Sequence, residues 1–309
     1  MKQLIYFLIS IILSYSMNAQ LPTPTTGTIK RVEKFASKYV DARNVDIWLP
    51  DGYNTQQQYA VLYMHDGQML FDAAQAWNKQ EWGIDEILGN LIKEKKIRNC
   101  IVVGVWNSDK KRHIDYFPQK PFETIPIAKQ NELYLMKRNT GVPIFSGKIQ
   151  SDNYLKFLVK ELKPYIDSNF STLKDQQNTF IAGSSMGGLI SLYAICEYPA
   201  VFGGAACLST HWPGIFTTEN NPVPAAFLQY LQTHLPAPGT HKFYFDHGSA
   251  TLDSMYKPFQ LQADDIMHSK GYTDRNWLSK EFIGDDHSEV SWRKRFNIPA
   301  VFLLAEAHH

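Results

Sequence analysis

Cysteine is scarce in this sequence: Cys100, Cys196 and Cys207 are the three present, and each lies in an apolar run. Three scattered thiols exclude a disulfide scaffold, and an odd count leaves at least one free. All three read as small buried hydrophobes, with a Cys196–Cys207 bridge as the lesser alternative. Charge of one sign is lacking too. The formal net charge is +1, and Lys93-Glu94-Lys95-Lys96 and Lys110-Lys111-Arg112 are too short for the basic face of a nucleic-acid binder. No histidine pair has helical ligand spacing, no cysteine cluster exists and no phosphate loop is present, so the sequence calls for no metal and no cofactor.

Long hydrophobic runs are missing beyond the first twenty residues. There, Lys2 gives a positive start, Leu4 to Leu13 is apolar except for Ser10, and Asn18-Ala19-Gln20 offers a small residue for cleavage. This pattern predicts a secretory signal peptide over 1–19, although Met17 is larger than the residue usual at that position. Its apolar stretch is too short to span a bilayer, and no later segment approaches that length. No Cys follows to take a lipid. The mature chain is therefore expected to be secreted or periplasmic, without a membrane span.

What is present is enough for one large core: 309 residues, 44% of them hydrophobic and 20% charged, favour a single domain over residues 28–305 behind a flexible lead-in at 20–27. Thr28 to Leu49 predicts two antiparallel strands broken near Asp41 to Asn44. Tyr59 to Met64 and Cys100 to Trp106 are compact apolar strands separated by a helix within Trp82 to Ile97. Residues 107–150 contain Pro118, Pro121, Pro126 and Pro143 and have no strong period, so they predict a long cap-like insertion. Ser151 to Phe170 predicts an amphipathic helix that Pro164 bends or interrupts. Strands at Val201 to Leu208, His241 to Asp246 and Trp277 to Ile283 follow, with helices at Ser254 to Lys270 and Asp286 to Arg295. Alternation of this kind implies an α/β fold with a mainly parallel sheet, helices on both faces and ligands beyond the carboxyl ends of the strands.

The chain is organised around Phe180-Ile181-Ala182-Gly183-Ser184-Ser185-Met186-Gly187-Gly188. Gly183, Ser185 and Gly187 fit G-x-S-x-G, a strand turning sharply into a helix with Ser185 at its apex. A serine hydroxyl needs a base, and that base needs a carboxylate to hold its tautomer. In this chain order the acid follows the next-to-last strand and the base follows the last. His287, directly after the last strand, is the candidate base; His247 comes too early. For the acid, Asp246 ends its strand and Asp253 lies in the following loop, and spacing alone leaves both open. The oxyanion donors are expected from the backbone N–H of Met186 at the helix start and of Gln68 after the Tyr59 strand, with Gly67 as runner-up. Trp77, Trp106, His211 and Trp212 fall near strand exits, where they could bind a sugar or aromatic acyl group or complete the core rim. Arg112, Asp115 and Tyr116 open the long insertion and are expected to anchor it.

With these residues in hand, the chain resembles the putative esterase family of α/β-hydrolases, which includes feruloyl and acetylxylan esterases, enterochelin esterases and the S-formylglutathione hydrolase type. The resemblance covers residues 28 to 305. It rests on Val61-Leu62-Tyr63-Met64-His65-Asp66-Gly67-Gln68, on the elbow, on Tyr244-Phe245-Asp246-His247-Gly248 with Leu252-Asp253, and on Asp286-His287-Ser288-Glu289 with Trp292-Arg293. It implies the α/β-hydrolase fold and a triad of Ser185, His287 and Asp253, the acid lying in the Gly-x-x-x-Leu-Asp piece. The implied substrate is a small-molecule or polysaccharide ester, with Trp212, Trp106 and His211 as substrate-binding candidates. An acyltransferase on the same triad and a non-catalytic secreted carbohydrate-binding protein are the alternatives.

Overall fold

The computed structural model describes residues 20–305; the signal peptide assigned to 1–19 lies outside the described residues. Eight strands form one sheet in the order β1-β2-β4-β3-β5-β6-β7-β8. They are β1 (Thr28–Phe35), β2 (Arg43–Leu49), β3 (Ala60–His65), β4 (Cys100–Val105), β5 (Thr179–Ser184), β6 (Gly204–Leu208), β7 (Lys242–Gly248) and β8 (Trp277–Phe282). β1 with β2 and β2 with β4 are antiparallel, and the remaining pairs are parallel. This is the α/β-hydrolase architecture.

Strands β3 to β6 are buried throughout. Their sequences are continuous apolar runs because helices cover both faces of a parallel sheet. Alternation then sorts the side chains: Val61 and Tyr63 join one core cluster, whereas Ala60, Leu62 and Met64 join the other. The edges read differently. β8 and β1 are only partly buried and carry the polar residues that an edge strand tolerates. The helix Met186–Glu197 follows β5 and is buried from Met186 through Cys196; its sequence is apolar all round, as a helix enclosed on every side requires.

Several local details refine the expectation. The first main helix is shorter, Ile84–Lys93, because Gly83 adopts a left-handed conformation that starts it late. The helix around Pro164 is interrupted as expected, in a particular form: the α-helix Ser151–Phe157 gives way to a π-helical turn before it resumes. That turn, Leu158–Leu162, precedes the segment Lys163–Asn169, and this widening accommodates a residue without an N–H. A helix, Val223–His234, forms where the sequence reading has no element. The insertion 107–150 contains three short helices, Arg112–Tyr116, Gln119–Glu123 and Ile127–Tyr134. Its aromatic residues join the core cluster on one face of the sheet, and Phe145 packs on both Phe117 and Tyr134 with ring centroids 5.2 and 5.4 Å apart. All three cysteines are buried and free, so no Cys196–Cys207 bridge forms. Among the described residues, no helix is long and apolar enough to cross a membrane.

Candidate active site

Ser185 sits between β5 and its helix with φ 57° and ψ −121°, a strained conformation for a residue with a side chain. Its environment fixes it there. The Ser185 N–H donates to the Leu208 carbonyl at 2.9 Å, and the Ser185 carbonyl accepts from the N–H groups of Leu189 and His211 at 3.1 and 3.2 Å. A Cβ on Gly183 would lie 2.7 Å from the carbonyl carbon of Gly187. The spacing of the two glycines is thus the close approach of strand end to helix start.

The loop after β8 carries His287, whose Nδ1 lies 2.5 Å from Oδ1 of Asp253. Asp253 stands in the 3-10 turn Thr251–Met255 after β7, with its side chain fully buried. Its Oδ2 accepts from the Gly248 N–H and the Ser209 hydroxyl, each at 2.6 Å. Burial works to raise this carboxyl, but the bonds from His287, Ser209 and Gly248 prevail and hold it below the usual range. The two loops are also tied together directly, since the N–H groups of Ser249 and Ala250 donate to the Asp285 carbonyl and that of His287 donates to the Thr251 hydroxyl.

Asp246, the other acid left open by spacing, faces away from His287. It pairs with Arg295 at 3.0 and 3.2 Å and accepts from the Tyr244 hydroxyl and the Ser209 N–H. Burial raises its carboxyl, and these donors offset that only in part. Ser209 joins the two acids, because its hydroxyl donates to Asp253 and accepts from Trp292 Nε1 and Arg295. Neither Ser209 nor Arg295 was singled out from sequence. Arg293, quoted in the resemblance beside Trp292, instead pairs with Glu81 and Glu86. His247 is buried within β7.

Ser185 and His287 line one cleft of about 820 Å³, together with Gln68, Trp106, Asn107 and Arg112. Gln68 lies in a 3-10 turn after β3, and a Cβ on the preceding Gly67 would stand 2.4 Å from the Gly104 carbonyl. Asp66, which precedes this turn, is itself in a left-handed conformation, φ 57° and ψ 45°. Its carboxylate receives two bonds of 2.7 Å from Arg112 and one of 2.7 Å from Asn107. Although burial would raise the Asp66 carboxyl, the Arg112 guanidinium keeps it below the usual range. Asp115 anchors the insertion through Arg43, Ser108 and Gln150. Met186 opens the elbow helix, where a first-turn N–H has no intrahelical partner.

Of the three aromatic candidates, Trp106 lines the cleft, its Nε1 bound to Asp46 at 2.8 Å. His211 and Trp212 do not. Each is 1% exposed, with His211 Nδ1 on the Tyr256 hydroxyl at 2.7 Å and Trp212 Nε1 on Gln260 at 3.0 Å. The turn after β6 directs both side chains into the interior, where Tyr256 and Gln260, at the start of the helix Lys257–Ser269 after β7, offer polar partners. Trp77, by contrast, is 79% exposed at the cleft rim. Among the described residues, no group of three or more His, Cys, Asp or Glu side chains is arranged to hold a metal ion.

The chain is 28% identical over 197 residues to an endo-1,4-beta-xylanase/feruloyl esterase of Xylanibacter ruminicola, a match covering 59% of this chain and 22% of that protein. It is 23% identical over 172 residues to the uncharacterized protein YbbA of Bacillus subtilis, covering 55% of this chain and 58% of that protein. The chain therefore spans little more than half, or much less, of these curated relatives. Among solved structures, the ferulic acid esterase of Anaeromyces mucronatus aligns with a TM-score of 0.60 at 20% identity, over 92% of this chain and 93% of that one. An IroE-like serine hydrolase of Shewanella oneidensis aligns with a TM-score of 0.64 at 21% identity, over 89% and 78%. Fold and family profile agree: the profile described as "Putative esterase" matches residues 37–296, and the chain belongs to that family.

Proposed function

We propose that this protein is a secreted serine carboxylic ester hydrolase that works through Ser185, His287 and Asp253. The observation that carries this reading is the 2.5 Å bond between His287 Nδ1 and Asp253, at a cleft that also holds the strained elbow serine. Asp253 fixes the imidazole tautomer with Nδ1 protonated, which leaves Nε2 free to take the Ser185 proton. Ser185 Oγ then attacks the ester carbonyl. The N–H groups of Met186 and Gln68 receive the oxyanion, and the helix dipole behind Met186 favours its charge. His287 returns the proton to the departing alcohol, and water repeats the sequence to release the acid.

The lining of the cleft favours a hydroxyl-rich alcohol. Gln68, Gln75, Asn78, Gln80 and Asn107 make the lining rich in amides, of which Asn78 and Asn107 are held by protein partners, and Trp77 and Trp106 offer apolar faces. An acyl group on a carbohydrate, feruloyl or acetyl, fits this lining and the similarity to the xylanase/feruloyl esterase; siderophore-type esters are the second class. The test is release of 4-nitrophenol from its acetate and longer esters. Wild type should turn these over and label with a fluorophosphonate probe, while folded Ser185→Ala should lose at least about 10³-fold in rate and not label. A folded wild type inert to both reagents would overturn the proposal.

A further inference from the structure

Asp66 stands between the two segments expected to supply the oxyanion donors. It directly precedes the turn Gly67–Met69 that carries Gln68. A Cβ placed on Gly187 would lie 3.4 Å from Asp66 Oδ2, so the carboxylate also packs against the first turn of the elbow helix, beside Met186. Asn107 holds the turn from both ends: its N–H donates to Gln68 Oε1 at 3.2 Å, and its side chain donates to Asp66 Oδ1 at 2.7 Å. Burial acts to raise the Asp66 carboxyl, but the Arg112 guanidinium prevails, and the group is ionised.

A bare carboxylate here would work against the chemistry. Attack on an ester turns its carbonyl oxygen into an anion, and a like charge nearby opposes that change, most strongly where water is excluded. Asn107 satisfies a lone pair of Asp66 and leaves its charge intact. Arg112 cancels it. Its Nε donates to Oδ1 and its Nη2 to Oδ2, each at 2.7 Å, in a parallel fork. The fork is held from behind: Arg112 opens the helix Arg112–Tyr116 and lies over the Tyr116 ring at 5.2 Å. Asp115 of the same helix is tied to Arg43 of β2 at 3.0 Å and to Ser108 at 2.8 Å. The long insertion thus delivers a fixed cation to the one carboxylate that touches both donor segments.

We infer that Arg112 is a positioning residue for ester hydrolysis: acting through Asp66, it cancels the charge of that carboxylate and keeps the oxyanion site between Gln68 and Met186 favourable to negative charge. This inference rests on the proposed esterase reading. In acylation, Ser185 Oγ bonds to the carbonyl carbon, the carbonyl π pair moves to the oxygen, and the Oγ proton passes to His287. In deacylation, water takes the place of Ser185 and the same oxygen is charged again. The bound ester carries no such charge, so the Asp66–Arg112 pair acts on kcat and hardly on KM.

The experiment measures kcat and KM for 4-nitrophenyl acetate, and inhibition by a phenylboronic acid that forms an anionic tetrahedral adduct with serine. It compares wild type, Arg112→Met, and Arg112→Met combined with Asp66→Asn. Arg112→Met should lower kcat roughly 10²-fold, the scale of one lost oxyanion donor, with KM within about 3-fold and boronate affinity falling in step with kcat. Adding Asp66→Asn removes the uncancelled charge and should return kcat to within about 10-fold of wild type. If Arg112 served only to brace the turn, the second substitution would deepen the loss. Arg112→Gln keeps a hydrogen-bond donor for Asp66 without the charge, should repeat the loss, and carries the test if Arg112→Met does not fold. No recovery in the double variant, an unchanged kcat in folded Arg112→Met, or a raised KM at unchanged kcat, as direct substrate contact would give, would overturn the inference. Failure of the esterase reading looks different, because wild type would then neither turn over the ester nor label with a fluorophosphonate.

Discussion

Asp246 and Asp253 lie at the same strand end, both fully buried, and their nearest charged partners differ, Arg295 at 3.0 Å for Asp246 and His287 at 2.5 Å for Asp253, with Arg295 no nearer than 4.0 Å to the latter. Asp246 meets a guanidinium, which keeps its proton at any ordinary pH. Asp253 meets an imidazole, which can gain and lose one. Burial drives both carboxyls upward, but the outcome differs: Asp246 stays above the usual range, whereas the donors around Asp253 bring it below. A buried carboxylate beside a permanent cation is part of the framework. Beside a titrating base, as the proposed function has Asp253, it would serve the chemistry, because its charge gains value when the base takes a proton.

Replacing the acid that faces the base tests this contrast most severely. Asp253→Asn should lower kcat/KM for 4-nitrophenyl esters by about 10³- to 10⁴-fold, because the imidazole loses the partner that sets its tautomer. The same substitution changes acid stability. A carboxyl held below its unfolded value, ~3.9, stabilises the fold fully above that pH and loses the contribution as pH falls through the folded value. Wild type should therefore show this part of its acid transition below about pH 4, and Asp253→Asn should lack it. A variant within about 10-fold of wild type would erase the distinction between the two acids.

The framework side breaks at Arg295. Arg295→Met leaves the Asp246 carboxylate buried without its cation, which should cost about 3–5 kcal/mol in urea unfolding, while the fraction still folded keeps kcat/KM within about 10-fold. Adding Asp246→Asn should recover part of that stability. Unchanged unfolding would show that Asp246 and Arg295 do not hold the strand end together.

Ser209 sharpens the comparison because it touches both acids. Ser209→Ala removes one donor to Asp253 and the acceptor shared by Trp292 and Arg295. The expected loss is about 1–3 kcal/mol in unfolding, with roughly a 10-fold loss of kcat. A change in one readout alone would assign Ser209 to that acid.

Much of this arrangement was legible from residues read in order. The apolar runs of β3 to β6 marked the central strands, and the glycine spacing around Ser185 marked the elbow, because both patterns act over a few neighbouring residues. The resemblance favoured Asp253, where spacing had left Asp246 equal. Partners were less legible. Ser209 and Arg295 lie far apart along the chain, and no local signal connects them with either acid. Trp212 and His211 occupy a strand exit, as Trp106 does, yet they turn inward to Gln260 and Tyr256 while Trp106 remains at the cleft.

By itself, then, the sequence determined which segments become strands and helices and where a sharp turn lifts a serine, since backbone sterics and burial periodicity are local. The tertiary structure decided which of two aspartates meets His287 and which aromatic side chains face the cleft. Those outcomes depend on side chains brought within about 3 Å from distant parts of the chain, where hydrogen-bond geometry and exclusion of water set each group's charge and role.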